Sequence, residues 1–249
     1  MDTFLELIAV GAIVGTLSGF FGVGGGTVLV PALLLMGFEM KAAVGISVVQ
    51  MVFSSIYGSY LNHKRGTLDM KLVSIIGAGG FSGAFFSGYV VSAVSGRLLE
   101  SIFFLFVLFA LARLFIKTKE HTQEKRVSPI ILFAIGMVIG FFSMLIGVGG
   151  SLMLVPILVG FLHIELRKAT SAGLFFVVFS SVSGFISHAL SGHVDYVSGI
   201  IVGISSLGGV YLGIHLKHIV SNEIARRLLL FFYLCVIIYL AYRIFFAGH

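Results

Sequence analysis

Apolar runs approaching twenty residues recur along the whole chain, and no other feature restricts the fold as much. They fall at roughly 4–20, 26–36, 42–61, 72–91 and 97–116. After a polar stretch from Lys117 to Ser128 they resume at roughly 129–146, 151–161, 166–189, 196–216 and 224–245. About 20 apolar residues in a helix match the hydrocarbon thickness of a bilayer. Inside lipid every backbone N–H and C=O must be satisfied internally, which leaves helices and closed barrels. The runs are continuous rather than alternating, so helices are expected. Charged residues make up 10% of the 249, against about 25% in an ordinary soluble domain. With a mean hydropathy of +1.12, too little polar material remains for a water-facing surface. The opening residues, Met1-Asp2-Thr3-Phe4-Leu5-Glu6, lack the basic start of a signal peptide, so the first run is expected to belong to the mature protein. The single cysteine, Cys235, sits in an apolar run and reads as a packing or lipid-facing residue. The net charge of +6 fits cytoplasmic Lys and Arg in a membrane protein better than a nucleic-acid partner. A nucleotide-hydrolysing engine would have to be a separate subunit.

The five runs, linker and five runs form a repeat. Gly22-Val23-Gly24-Gly25-Gly26 with Pro31 answers Gly147-Val148-Gly149-Gly150-Ser151 with Pro156. Val52-Phe53-Ser54-Ser55 and Gly58 answer Val178-Phe179-Ser180-Ser181 and Gly184, and Gly79 and Gly83 answer Gly209 and Gly213. Lys41-Ala42-Ala43 answers Arg167-Lys168-Ala169, and Arg97-Leu98-Leu99 answers Arg227-Leu228-Leu229. The matches keep their order throughout.

Whether the halves are parallel or inverted turns on the first two runs of each. Residues 5–36 as one helix would be about 48 Å long, too long for a core of about 30 Å. If the chain crosses once there, the halves are parallel; if it turns back at the glycines, they are inverted. Parallel halves divide the Lys and Arg residues 9 against 7. Inverted halves leave Lys41, Arg97 and Arg243 on one side and the other 13 opposite. That asymmetry is what the positive-inside rule asks for. The expectation is therefore an all-α polytopic membrane protein with two inverted repeats of five hydrophobic segments. The repeats span 1–116 and 129–249, and the 117–128 linker is expected in the cytoplasm of a cell (inner or plasma) membrane.

The glycine clusters carry the chemistry. Each glycine costs about 1 kcal/mol in a helix interior, so the run at 22–26 reads as a break, and a short helix follows near Thr27 and near Leu152. Free N–H groups and a partial positive charge make such helix starts anion sites. Inverted repeats would bring the two starts toward one midplane point. The alternative for each cluster is close helix packing through small residues. The ten acidic residues fall at segment ends, linkers or termini, whereas a cation pathway would normally place a carboxylate within the membrane. An anion or neutral substrate is favoured.

Hydroxyl and amide side chains within the runs can complete such a site: Ser47, Gln50, Ser54, Ser55, Thr170, Ser171, Ser180 and Ser181. Bonding to their own or neighbouring helices is the alternative for the serines. His63 and His188 lie near the ends of matched runs and read as interfacial, with proton coupling as the alternative. Asp69 and Asp195 precede helices and read as caps. Arg97 and Arg227 read as interfacial anchors. Enzyme readings are weak. The glycine run lacks the Gly-Lys-Ser/Thr ending of a nucleotide loop, and Ser151 with His188 has no activating spacing for a hydrolase.

Gly19-Phe20-Phe21-Gly22-Val23-Gly24-Gly25-Gly26 with Val30-Pro31, its echo from Gly147 to Pro156, and Ala43-Val44-Gly45-Ile46-Ser47 resemble the sulfite exporter TauE/SafE family of membrane permeases. The resemblance covers nearly the whole chain. It implies passage of small sulfur-containing anions such as sulfite, sulfoacetate and related organosulfonates. Two departures stand out. Ile46 occupies a position where the family often has threonine, while Thr170-Ser171 keeps a hydroxyl pair in the second half. Ser151 replaces the last glycine of the first motif.

The expected function is secondary transport of sulfite or an organosulfonate by alternating access. Gly24, Gly25, Gly26, Thr27, Ser47 and Gln50 from one half are expected to hold the anion with Gly149, Gly150, Ser151, Thr170 and Ser171 from the other. No metal, cofactor, catalytic residue or nucleic-acid partner is expected; the partners are a small anion and the bilayer, with homo-oligomerisation left open. A membrane assembly or stability factor and an intramembrane hydrolase are the competing classes.

Overall fold

The computed structural model describes residues 2–21, 24–63, 70–115, 127–164, 166–216 and 222–245. Among them the chain is all-helical. The elements are α1 (Asp2–Phe21), α2 (Gly26–Leu35), α3 (Met40–His63), α4 (Met70–Ala84), α5 (Ser87–Ala93), α6 (Gly96–Phe115), α7 (Pro129–Leu145), α8 (Ser151–Gly160), α9 (Leu166–Leu190), α10 (Tyr196–Leu216) and α11 (Asn222–Phe245). Each expected run is a helix, with one correction. The run at 72–91 is two helices, interrupted at Phe85–Phe86. Five stretches are long and apolar enough to cross a membrane: Phe4–Phe21, Met40–Leu61, Leu72–Ala93, Lys168–Leu190 and Tyr196–Leu216. The outer faces are apolar, with Ile130, Phe161, Val197, Phe231 and Ile238 exposed, as lipid contact requires. The protein is a polytopic integral membrane protein.

Helix pairing exchanges elements between the halves. The most extensive contact is α1 with α10, and its counterpart under the repeat is α7 with α4. Small residues make both possible. A methyl on Gly11, Gly15 or Gly19 would run into the backbone of α10 at Val202, Ser206 or Val210, and one on Gly209 or Gly213 into α1 at Ala12 or Thr16. Gly136 and Gly140 meet Ile76 and Gly80 in the same way, and Gly79 and Gly83 meet Phe133 and Met137. Side chains reduced to hydrogen let backbones approach where no hydrophobic force drives helices together. The glycines matched across the repeat at 79, 83, 209 and 213 thus serve close packing.

Two pairs of repeat-matched helices also cross. Residue numbers run in opposite senses along α3 and α9: Ser55 Oγ lies 3.5 Å from Ser181 Oγ, and Gly58 meets Leu174. They do so along α6 and α11 as well, where Arg97 donates to Ile244 O at 2.9 Å and Arg243 pairs with Glu100 at 3.0 Å. Both matched pairs are antiparallel. By contrast α1, α3 and α10 run in one direction, since Gly45, Val49 and Phe53 meet His193, Gly199 and Gly203 in order. The start of α2 packs on Ser47 and Gln50, inside α3, and its end leads into Met40, the start of α3. Hence α2 runs against α3 and α1, and the chain reverses direction at Gly24–Gly25.

Candidate functional site

The reversals need backbone angles that only glycine adopts readily. Gly24, Gly25, Gly149 and Gly150 have φ of 76°, 74°, 86° and 78°, in the left-handed region that penalises a Cβ. Gly25 is the N-cap of α2 and Gly150 that of α8, and neither helix start is capped by a side chain. The first turn closes on the glycine carbonyls: Val28 N and Leu29 N donate to Gly25 O, each at 3.0 Å, and Leu154 N donates to Gly150 O at 2.9 Å. Pro31 and Pro156 withhold an amide one turn further on, which leaves the carbonyls of Thr27 and Leu152 without their usual i+4 donor. Both half-helices are therefore loosely held at the end that faces the other half.

The two breaks touch. A methyl on Gly26 would collide with Gly147 O, and Ser47 Oγ donates to that same carbonyl at 2.8 Å. Gly24 and Gly149 both pack on Val177 of α9. Gln50 of α3 stands over Gly25, where a methyl would lie 2.7 Å from Oε1 and 2.9 Å from Nε2. Thr27, Gln50 and Ser151 are 1%, 0% and 0% exposed, and Thr27 Oγ1, both amide atoms of Gln50 and Ser151 Oγ have no hydrogen-bond partner in the protein. An unsatisfied buried polar group costs about 1–3 kcal/mol. Three such groups lie at the starts of the two half-helices and beside Gly25.

The junction is asymmetric. Counting from the matched serines, Gln50 corresponds to Phe176, Met51 to Val177 and Ser47 to Gly173. The ring of Phe176 packs on Gly150, in the role that the amide of Gln50 has on Gly25. Ser47 fits against Gly26, whereas Gly173 fits against Ser151, so the small partner has changed sides. Phe176, Val177, Met51 and Ser143 also line the breaks. None of the four stands out in the sequence, although the repeat register carries Gln50 onto Phe176.

Of the expected site residues, Gly24, Gly25, Gly26, Ser47, Gln50 and Gly149 lie where the breaks touch, and Thr27 follows Gly26 as Gly150 and Ser151 follow Gly149 in the chain. Thr170 and Ser171 lie on α9 just ahead of Gly173, the residue that meets Ser151. Ser54, Ser180 and Ser181 bond to carbonyls of their own helices, with Ser55 and Ser181 facing each other. They serve the α3–α9 crossing. Asp195 caps α10, accepting from Ser198 N at 3.1 Å, while Asp69 and the side chain of His63 lie outside the described residues. His188, near the end of α9, is fully buried, with α5 and α7 against its ring.

An all-helical bundle whose halves meet at two glycine-broken half-helices defines a class of integral membrane protein. The chain belongs to the sulfite exporter TauE/SafE family, which it matches over residues 7–240. Two Bacillus subtilis relatives are described as probable membrane transporter proteins. YunE is 26% identical over 224 residues, covering 78% of this chain and 81% of the relative. YdhB is 27% identical over 227 residues, covering 88% and 93%. A Methanocaldococcus jannaschii protein of the same description is 28% identical over 246 residues, covering 90% of each. No solved structure matches the chain significantly.

Proposed function

We propose that this protein is a secondary transporter that carries a small oxyanion, sulfite or an organosulfonate, across the cell membrane. The carrying observation is that Thr27, Gln50 and Ser151, buried and unpartnered, sit at two uncapped helix starts whose breaks touch. Amide and hydroxyl hydrogens are what a sulfite or sulfonate group requires in place of water. The partial positive charge of both helix starts favours the anion, and the positive φ at Gly25 and Gly150 keeps side chains out of its approach. The family name supports a sulfur oxyanion, and the relatives' descriptions support transport.

The antiparallel crossings of α3 with α9 and of α6 with α11 support inverted halves. A two-fold axis along the membrane normal would leave matched helices parallel, whereas an axis in the membrane plane reverses them. With both breaks on that axis, rocking of one half against the other opens the same site to each side in turn. The charge distribution supports a cytoplasmic location for residues 117–128 and both termini on the opposite side. The function is passage rather than catalysis. Ser151 Oγ has no hydrogen-bond partner, and His188 Nε2 faces Met144 O and Ser87 Oγ, so no bond joins Ser151 to His188, the pair on which the hydrolase reading rests.

The test is flux of labelled sulfite, sulfoacetate and methanesulfonate into liposomes holding the purified chain. Saturable flux of one anion, competed by the others, is expected. Absence of flux for all three, from folded and inserted protein, would refute the reading and return attention to an assembly factor.

A further inference from the structure

One buried titratable group lies outside the anion site but is joined to both of its walls. His188 is 0% exposed and sits two residues before the end of α9. The short helix α5 covers it. Gly88 packs so closely there that a methyl would lie 2.5 Å from Ser187 C and 2.7 Å from His188 N, and Gly88 N donates to Ser187 Oγ at 3.0 Å. On the other side, His188 Nε2 lies 3.2 Å from Met144 O in the last turn of α7. A carbonyl only accepts, so Nε2 carries the hydrogen and donates it to Met144, with Ser87 Oγ at 3.4 Å as a second contact. The other ring nitrogen, Nδ1, is buried and has no partner. In this tautomer it holds a lone pair and is the atom that would take a proton.

Among the described residues no counter-charge attends that proton. Neither α7 nor α8 bears a titratable side chain; α5 carries Tyr89, which is exposed. From α4 the only charge is Lys71, whose side chain lies outside the described ones, and α3 carries Lys41, Tyr57 and Tyr60 besides His63. The nearest titratable neighbour is His193 in the loop after α9, hydrogen-bonded to Ser92 Oγ at 2.9 Å. Burial, with Lys41 nearby, holds the His193 imidazole below its ordinary value. A buried imidazolium among these groups meets no carboxylate and is unfavourable by itself. An anion at the glycine breaks changes the balance. Met144 lies three residues before Gly147, and α9 carries Phe176 and Val177 against the breaks, so His188 and the anion share two structural walls. Opposite charges in a low-dielectric interior attract, and each then raises the other's affinity by the same factor.

We propose that His188 is a proton-binding site that couples anion passage to proton movement in the same direction. The imidazole takes a proton from water onto Nδ1 when the anion is bound, proton and anion cross together without net charge, and both are released on the far side. This rests on the anion-transport reading. It makes α5 the cover of the proton site.

The test uses the full chain in liposomes with labelled methanesulfonate, whose parent acid is too strong to carry the proton itself. One-to-one coupling predicts about tenfold accumulation for each pH unit of gradient, since a tenfold ratio and one pH unit are the same 1.4 kcal/mol. In His188→Gln the accumulation ratio is expected to fall to unity while labelled-anion exchange remains measurable. Accumulation in that variant equal to the parent's would overturn the proposal. A second measurement does not depend on a variant folding. Nitrogen NMR of histidine-labelled parent protein is expected to show His188 Nδ1 taking up a proton at higher pH with sulfite present than without it. A midpoint that sulfite leaves unmoved, or an Nδ1 that stays unprotonated in both samples, would overturn the proposal even if transport is confirmed. If the parent moves none of the anions, the transport reading fails, and the NMR titration alone decides whether His188 binds a proton.

Discussion

Replacing Gly25 by alanine separates the site from the backbone that supports it. Two consequences follow from the geometry. An L-residue at φ 74° bears a strain of about 1–2 kcal/mol, which a membrane domain with an ordinary stability of about 5–15 kcal/mol survives. The methyl would also stand 2.7 Å from Gln50 Oε1, short of an ordinary contact distance of 3.4 Å by 0.7 Å. The Gln50 amide must swing away by that much or more, beyond the roughly 0.5 Å within which a binding group has to be held. Gly37 supplies the control. Its φ is 89°, and a methyl there meets nothing within 4 Å, so Gly37→Ala places an L-residue at positive φ without touching the site. The assay is initial flux of labelled sulfite into liposomes at equal protein density. Gly25→Ala is expected to lose at least about tenfold, which corresponds to about 1.4 kcal/mol of anion stabilisation, while Gly37→Ala stays within about twofold. Equal flux in the two variants would refute the reasoning. So would an equal loss in both, because backbone strain would then suffice.

Gln50→Leu removes two buried, unpartnered polar atoms from a similar volume. It is expected to stabilise the fold by up to about 1–3 kcal/mol, seen as a higher melting temperature, while flux is lost. At the α1–α10 contact, Gly15→Ala drives a methyl into the Ser206 backbone, whereas Gly208→Ala meets nothing within 4 Å. The first is expected to destabilise by about 1–3 kcal/mol and the second to leave the melting temperature nearly unchanged. Glu100 pairs with Arg243, which also donates to Leu34 O at the end of α2. A double-mutant cycle with Glu100→Gln and Arg243→Met is expected to show a coupling of about 0.5–3 kcal/mol in thermal stability.

The runs, the repeat and the two breaks were legible because each is a local property. Hydropathy marks length, and consecutive glycines mark backbone that cannot remain helical. The interruption at Phe85–Phe86 was not legible, because an apolar Ala84-Phe85-Phe86-Ser87 carries no breaker. Both helices there pack on α7 and α9, and α5 seats Gly88 on Ser187 and His188 of α9. The burial of His188 was not legible either, since hydropathy places it near the end of a run and cannot show that α5 covers it. Gln50 stood out as an amide in an apolar run. Its counterpart Phe176 was available from the repeat register, but a phenylalanine in a phenylalanine-rich chain carries no signal of its own. Thr170-Ser171 drew notice as a hydroxyl pair, while the position that matches Ser47 is Gly173.

One anion is expected to bind where the two glycine breaks meet. Selenite is a heavier analogue of sulfite whose selenium is located by anomalous diffraction, so crystals of the protein grown with selenite show directly where it binds. One peak is expected at the junction, with oxygens within hydrogen-bonding reach, about 3 Å, of the Gln50 amide and of Thr27 Oγ1 or Ser151 Oγ, and loss of the peak when sulfite is added in excess. A sulfite-competed peak elsewhere in the bundle, with none at the junction, would contradict it.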